Sequence, residues 1–499
     1  MISESIVPLF VAVPLAGAFL TALLKRVRGI PDILGVMSSF SGFVLSVFFL
    51  VRMQAERTVL VLNVGNWGGF QEVMGRIVGI QMVVDGFTIF MLLIVNFVAF
   101  LVAVYSVSYM TRYTDKWQFH TLFLLMLAGM NGVLVTGDMF NLFVFVEVAS
   151  IASYALVGFG TGKRELEASF KYAVMGGVAS LLILLGIIFL YSATGTLNMG
   201  DMKTVLSEWS VQPALIYLVF GLFLAGFGLK AAIVPFHAWL PDAHPSAPAP
   251  ISAMLSGVLI KALGVYAIAR VFITVFGFPR QVSIILLVLA AISMGVGALV
   301  ALRQWDMKRL LAYSSISQVG YIMLGFGIGT PLGIMGALFH LFNHSMFKSL
   351  LFLDSGAVEY ATGTRNMKEM GGLARKMPVT SGSTLAGAMS LAGIPPFAGF
   401  WSKLVIIVAA VQAHHMKLAA WAVLMSIVTI AYVLKVTRFA FLGELREKFR
   451  DIREVPALMR IPLIILALMC IFGGLLLVPQ VRDVLLSPAV RVLAENGGM

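Results

Sequence analysis

About fourteen apolar segments follow one another in this chain, each close to the ~20 residues a helix needs to cross the hydrocarbon of a bilayer. Lipid offers no partner to a backbone N–H or C=O, so segments of this length can cross only as helices that bond internally. The spans run approximately over 3–24, 30–51, 80–108, 117–136, 139–160, 168–193, 212–239, 249–276, 281–302, 309–329, 332–356, 379–412, 418–442 and 461–480. With 60% hydrophobic and 12% charged residues among 499, no soluble fold competes, and the expected class is all-α polytopic membrane protein.

The net charge of +12 does not point to nucleic acid, because the basic residues are scattered through short loops and are not interleaved with aromatics. They read as topology signals. Odd-numbered loops hold about twenty-one Lys and Arg, against about nine in even-numbered loops and the C-terminal tail, which places both termini outside an inner or plasma membrane. The larger extramembrane pieces are 52–76 (with Asn63, Gly65, Asn66, Gly68 and Gly69), 359–378 and 444–460. Ile2 to Leu24 has no basic region before it and is long enough to span, so it reads as a helix and not as a cleaved signal. A single cysteine, Cys470, excludes a disulfide framework, and the seven histidines lack the carboxylate spacing of a metal site. Neither a metal nor a cofactor is expected.

Five basic residues fall inside spans: Lys171, Lys230, Lys261, Lys348 and Lys403. A lysine at the centre of a membrane helix costs roughly 2.5–3.5 kcal/mol on insertion scales, so each needs a reason. Lys171 stands near a helix start, where snorkelling suffices. Lys230 is followed five residues later by Pro235, which breaks the helix ladder, and freed backbone at that depth must face protein or water. Lys261 lies a third of the way into the next span. In the fifth span Glu147 is read as the only carboxylate this deep, with Lys230 as its partner. The eleventh span sets His340, His344 and Lys348 on one helix face by their spacing of four, an arrangement suited to proton exchange near neutral pH. Lys348 could also be simply an end-of-helix anchor. In the tenth span Tyr313, Ser317 and Gln318 could order water or simply pack. Val234-Pro235-Phe236-His237-Ala238-Trp239 is echoed by Pro395-Pro396-Phe397-Ala398-Gly399-Phe400-Trp401 five spans later, with Lys403 beyond it. Such an echo in spans of opposite direction suggests an inverted repeat with helices 7 and 12 broken.

These residues carry a resemblance. Pro235-Phe236-His237, Trp239-Leu240-Pro241, Ala243-His244, Ala247-Pro248 and Pro250-Ile251-Ser252 resemble the signature of the antiporter-like subunits shared by complex I, Mrp-type cation/proton antiporters and membrane-bound hydrogenases. Asn141 to Glu147, Ser314 to Gln318, His340 to Lys348 and Ile394 to Phe397 extend the match over nearly the whole chain. The resemblance implies fourteen helices with two inverted five-helix repeats. Its boundaries are a three-helix segment 1–116, repeats 117–276 and 277–443, and a last helix with its tail at 444–499. It implies that Glu147, Lys230, Lys261, His340, His344, Lys348 and Lys403 carry protons, that the partners are other membrane subunits, and that sodium is the candidate counter-ion. The chain would not be an enzyme by itself. Tyr191 to Met199 and the length look most similar to the D-type member of Mrp antiporters, while Lys403 departs from the glutamate that a complex I subunit places there. A hydrogenase or complex I-like parent is the alternative. A solute carrier would need its polar groups gathered at one point, and a sealing scaffold would need none of these charges.

Overall fold

The computed structural model of the chain describes residues 4–56, 59–64, 79–113, 115–208 and 212–496. In chain order its elements are α1 (Leu9–Leu23), α2 (Ile30–Glu56), the antiparallel strands β1 (Leu60–Val64) and β2 (Ile80–Val84), α3 (Gly86–Tyr109), α4 (Lys116–Val135), α5 (Met139–Val157), α6 (Lys163–Thr194) and the short α7 (Met199–Glu208). Then come α8 (Pro213–Lys230), α9 (Leu240–Ser246), α10 (Ala249–Met254), α11 (Arg280–Arg303), α12 (Met307–Ile328), α13 (Pro331–Thr362), α14 (Pro378–Ala392), α15 (Ala398–Gln412), α16 (Met416–Val436), α17 (Ala457–Phe472) and α18 (Pro479–Asn496). Wide π turns carry α10 on to Val275. Among the described residues eleven helical stretches are long and apolar enough to cross a membrane, and α1 and α15 are apolar but shorter. With α8–α9 and α14–α15 taken as single crossings and α13 added, the described residues accommodate the fourteen crossings expected. α13 tolerates Lys348 and Asp354 because protein walls it; both side chains are fully buried.

The expected N-terminal loop is partly a strand pair, and its residues 65–78, with Gly65, Asn66, Gly68 and Gly69, lie outside the described residues. The third helix therefore begins at Gly86 and not at 80. Asp85 fixes that start, since its carboxylate accepts from Thr88 N at 2.8 Å, as a helix cap does. The same carboxylate holds the Arg270 guanidinium through two bonds of 2.6 and 2.9 Å, a charge-assisted fork.

Loop contacts sort the crossings by parity. Met82 bridges Thr136 and Asp138 bridges Asn198, which gathers loops 2, 4 and 6 on one face. On the other face Asp306 bridges Asn366, Lys435 donates to Leu302 O at 2.9 Å, and Gly372 N donates to Leu442 O at 3.0 Å, gathering loops 9, 11 and 13. This is the face whose loops hold most of the Lys and Arg, here called the basic face.

A clasp is built twice with the same parts. Ala193-Thr194-Gly195-Thr196-Leu197-Asn198-Met199 closes α6, and Ala361-Thr362-Gly363-Thr364-Arg365-Asn366-Met367 closes α13, the second string repeating the first at every position but one. Gly195 and Gly363, with φ of 66° and 72°, end their helices in the left-handed region that favours glycine. Asn198 N then meets Thr196 Oγ1, and Asn366 N meets Thr364 Oγ1, both at 3.2 Å. The turns pair with the segments of Asp138 and Asp306, whose carboxylates cap α5 and α12 by accepting from Asn141 N and Arg309 N. Five crossings separate the two clasps, so they lie on opposite faces.

Candidate functional site

The seventh crossing breaks between Lys230 and Leu240, the twelfth between Ala392 and Ala398. Each break leaves last-turn carbonyls without helical partners. Trp239, stacked on Tyr172 with ring centroids 4.1 Å apart, donates its indole N–H to Leu229 O at 3.0 Å. In the twelfth crossing the Lys403 ammonium does the equivalent work, donating to Leu391 O at 2.9 Å and Ala392 O at 3.4 Å. Lys230 thus closes the half-helix before its break, whereas Lys403 sits on the half-helix after its own.

Glu147 and Lys230 meet as expected, with Oε1 3.7 Å from Nζ. Ser180 donates to the same carboxylate oxygen, and Lys230 donates to Ser150 Oγ at 2.8 Å and Tyr154 OH at 3.3 Å. The pair stands at an edge: Lys230 is nearly enclosed, while the Glu147 side chain keeps 27% of its surface.

Lys261 is fully buried in the π turns, where its ammonium donates to the Ser256 carbonyl. Ser256 Oγ lies 2.7 Å from Ser315 Oγ, tying this segment to α12. Lys348 reaches α12 from the other side through Leu311 O, at 3.0 Å, and Ser314 Oγ. Lys348 is fully buried, a position that speaks against a snorkelling anchor. His340 Nδ1 is 2.9 Å from Ser402 Oγ, its ring centroid is 6.4 Å from that of His344, and the Lys403 ammonium lies 5.0 Å from the centroid of Tyr321, itself 5.6 Å from His340. Both ring nitrogens of His344 and Nε2 of His340 are buried without a protein partner, which calls for water between these groups. The structure buries six of the seven expected residues and leaves Glu147 at the edge. It joins Glu147 to Lys230 directly; Lys261, His340, Lys348 and Lys403 bond to hydroxyls or carbonyls, and His344 has no protein partner. Lys171 stays at the surface, paired with Glu167 at 2.7 Å and Asp242 at 3.4 Å.

The segment carrying Lys261 is held against the first break by a missing side chain. A Cβ at Gly264 would stand 2.3 Å from Ala231 N and 2.4 Å from its Cα, both rigid backbone. Gly264→Ala should force the two segments apart, at a cost of roughly 1–3 kcal/mol for overpacking, and lower both thermal stability and transport. Gly177→Ala, where nothing lies within 4 Å, is the control. Equal melting and transport rates for the two variants would show that this approach does not matter.

Three further interior residues are absent from the expected set. Asp354 on α13 is fully buried, so Glu147 is not the only deep carboxylate; its neighbours are polar residues of α14, which sequence spacing on α13 cannot reveal. Lys308, counted as a loop charge, is enclosed and donates to Ala247 O at 2.9 Å, with Glu359 3.5 Å away. His244 is fully buried, stacked on Phe352, and has both ring nitrogens unpartnered.

The chain has counterparts among known proteins in sequence and in overall fold. Residues 136–429 match the family described as NADH:quinone oxidoreductase/Mrp antiporter, and residues 73–120 match complex I chain 5 N-terminus. The D-type subunit of the Na(+)/H(+) antiporter of Alkalihalophilus pseudofirmus is 35% identical over 466 residues, covering 92% of this chain and 93% of that protein. A chain in the Mrp complex from Dietzia sp. superposes with a TM-score of 0.89 at 30% identity, covering 99% of this chain and 98% of its own. A chain of the archaeal membrane-bound sulfane sulfur reductase does so with a TM-score of 0.87 at 30% identity and the same coverage.

Proposed function

Since the chain belongs to the NADH:quinone oxidoreductase/Mrp antiporter family, we propose that it is the D-type ion-translocating subunit of a multisubunit Na+/H+ antiporter. Protons move along Glu147, Lys230, Lys261, His340, His344 and Lys403, with Lys348 beside the centre of that row. The observation that carries this reading is the row itself: ionisable side chains on five crossings, all buried except Glu147 at the edge, with hydroxyls, carbonyls and unpartnered imidazole nitrogens beside them. At a separation of 3.7 Å the Glu147–Lys230 attraction is roughly 4 kcal/mol for an effective dielectric of ~20, an upper figure because Glu147 is partly exposed. Moving one charge across 100 mV takes ~2.3 kcal/mol, so opening and closing this pair is energetic enough to gate a proton. The partly exposed Glu147 also supports a neighbouring membrane subunit, since a carboxylate turned toward lipid would be costly. The chain carries ions and is not an enzyme by itself.

The two clasps and the two broken crossings support repeats at 117–276 and 277–443, inverted across the membrane and flanked by 1–116 and 444–499. The basic face is then cytoplasmic, and both termini lie outside an inner or plasma membrane. A reporter active only in the cytoplasm, fused after Met499, should stay silent; activity there would reverse the orientation.

The intact complex in vesicles, given a pH gradient and sodium but no electron donor, should exchange the two ions. Transport that appears only with a reductant would replace the antiporter by a redox-driven parent, the second reading, which the nearly equal superposition on the sulfur reductase chain keeps open. Lys348 supplies a narrower check. Arginine retains the charge but holds its proton with a pKa above 12, so Lys348→Arg should lose transport by on the order of 10²-fold if the residue relays protons. A neutral substitution would leave Lys348 a structural charge.

A further inference from the structure

The buried carboxylate of Asp354 has no place in the row described above, and it sits at the end of a polar line that starts on the basic face. Glu454, half-buried in the loop before α17, caps α14: Oε2 accepts from Val379 N at 2.8 Å and Thr380 N at 3.2 Å, and Oε1 accepts from Thr380 Oγ1 at 2.6 Å. One turn inward, Ser383 donates to Thr380 O at 3.0 Å and to Asp354 Oδ1 at 2.7 Å. The neighbouring Thr384 hydroxyl donates to Thr380 O at 2.8 Å. Asp354 Oδ2 has no hydrogen bond of normal geometry, in a side chain with no exposed surface, and the Thr384 hydroxyl is close enough to interact with the carboxylate. By helical rise Asp354 is ~12 Å inside the end of α13 at Thr362.

A polar atom buried this deeply without a normal hydrogen bond is expensive unless water reaches it or it carries a proton. Inward of Asp354, Ser383, Gly387 and Ser390 share one face of α14, with Leu350 and Leu351 packed at Gly387; the Cys470 thiol on α17 interacts with the Ser390 hydroxyl and lies within electrostatic reach of Asp354. Ser390 is followed by Leu391, whose carbonyl holds Lys403. The other titratable or charged groups around Asp354 are Tyr105 on α3, Lys348 and Glu359 on its own helix, and Glu454; α14 adds only hydroxyls near it.

We infer that Asp354 is a proton-loading residue, connecting the basic face to Lys403 along α14 by a path separate from the Glu147–Lys230 edge. The carboxylate takes a proton from water at the Glu454–Thr380 end and passes it through water beside Ser390 to the neutral Lys403 amine, returning to the carboxylate as the ammonium forms. Ser383 holds Oδ1, so Oδ2 is the oxygen that exchanges.

This inference rests on the relay reading, and the test separates the two. In the intact complex reconstituted into vesicles, with assembly verified, Asp354→Asn should lower proton transport by on the order of 10²-fold, the scale of a lost acid–base group. Asp354→Glu should recover a substantial part of it with a displaced pH profile, because a carboxyl is restored at a shifted position. Parent-like transport by Asp354→Asn, or equal losses in both variants, would mean that the residue only braces α13 against α14, and overturns the inference. Glu147→Ala in the same preparation reports on the relay: if it transports normally the relay reading has failed, and if it is silent while Asp354→Asn transports, only the Asp354 path has.

Discussion

Glu147→Ala is expected to abolish ion transport while the complex still assembles, and Glu147→Asp to keep partial activity. Removing the carboxylate leaves the Lys230 ammonium with Ser150 and Tyr154 but no counter-charge, in a site where Lys230 is almost wholly enclosed. Breaking a buried pair from one side typically costs about 3–5 kcal/mol; the partial exposure of Glu147 places the loss toward the lower end. Assembly should survive because the helix contacts of α5 do not depend on that side chain: its N-terminus is capped by Asp138, and Ser153 ties it to Tyr172. Aspartate preserves the charge but shortens the reach from a pair already 3.7 Å apart, so gating should slow and not stop. Normal transport by Glu147→Ala in assembled complexes would falsify the relay at its outer edge.

Lys403→Ala should be equally silent, and Lys403→Glu should retain some transport with a displaced pH optimum. The lysine has two tasks, carrying a proton and satisfying the Leu391 and Ala392 carbonyls at the second break. Alanine can do neither. A glutamic acid side chain can donate to the same carbonyls only while it holds its proton, and once ionised it faces the negative end of the α14 dipole. Its activity must therefore follow pH differently from the parent's. Should pH change in vesicles show Lys403→Ala transporting like the parent, the row ends before the twelfth crossing.

Spans, breaks and most of the row were legible in the sequence because a charge or a proline in an apolar run is costly and therefore conspicuous: Lys230, Pro235, Glu147, Pro396 and Lys403 all announce themselves. Depth in three dimensions was not. Lys308 stands at a helix start and reads as a loop cation, yet the α9–α10 connection at Ala247 folds over it. Asp354 lies late in α13, where spacing along one helix says nothing about a hydroxyl row on another. The π turns around Lys261 left no mark in composition; they include Gly264, where this segment packs against the first break. The repeated Ala-Thr-Gly-Thr-x-Asn-Met string was a sequence signal in plain view, and a search for repeats at a fixed separation would have found both clasps.

In the proposed relay, the sign of the charges along the row would set its selectivity. From Lys230 inward the ionisable groups of the row are amines and imidazoles, and its one carboxylate stands at the edge. A sodium ion ~5 Å from a single ammonium is repelled by roughly 3 kcal/mol at an effective dielectric of ~20, which lowers its occupancy by a factor of order 10². The carbonyls at the second break, the kind of oxygen that compensates a dehydrated cation, are engaged by Lys403. A proton meets no such barrier, because it travels as the ammonium itself. Under the proposed relay such a row would act as a sieve by charge and not by diameter, so alkali cations of different size should be excluded from it alike.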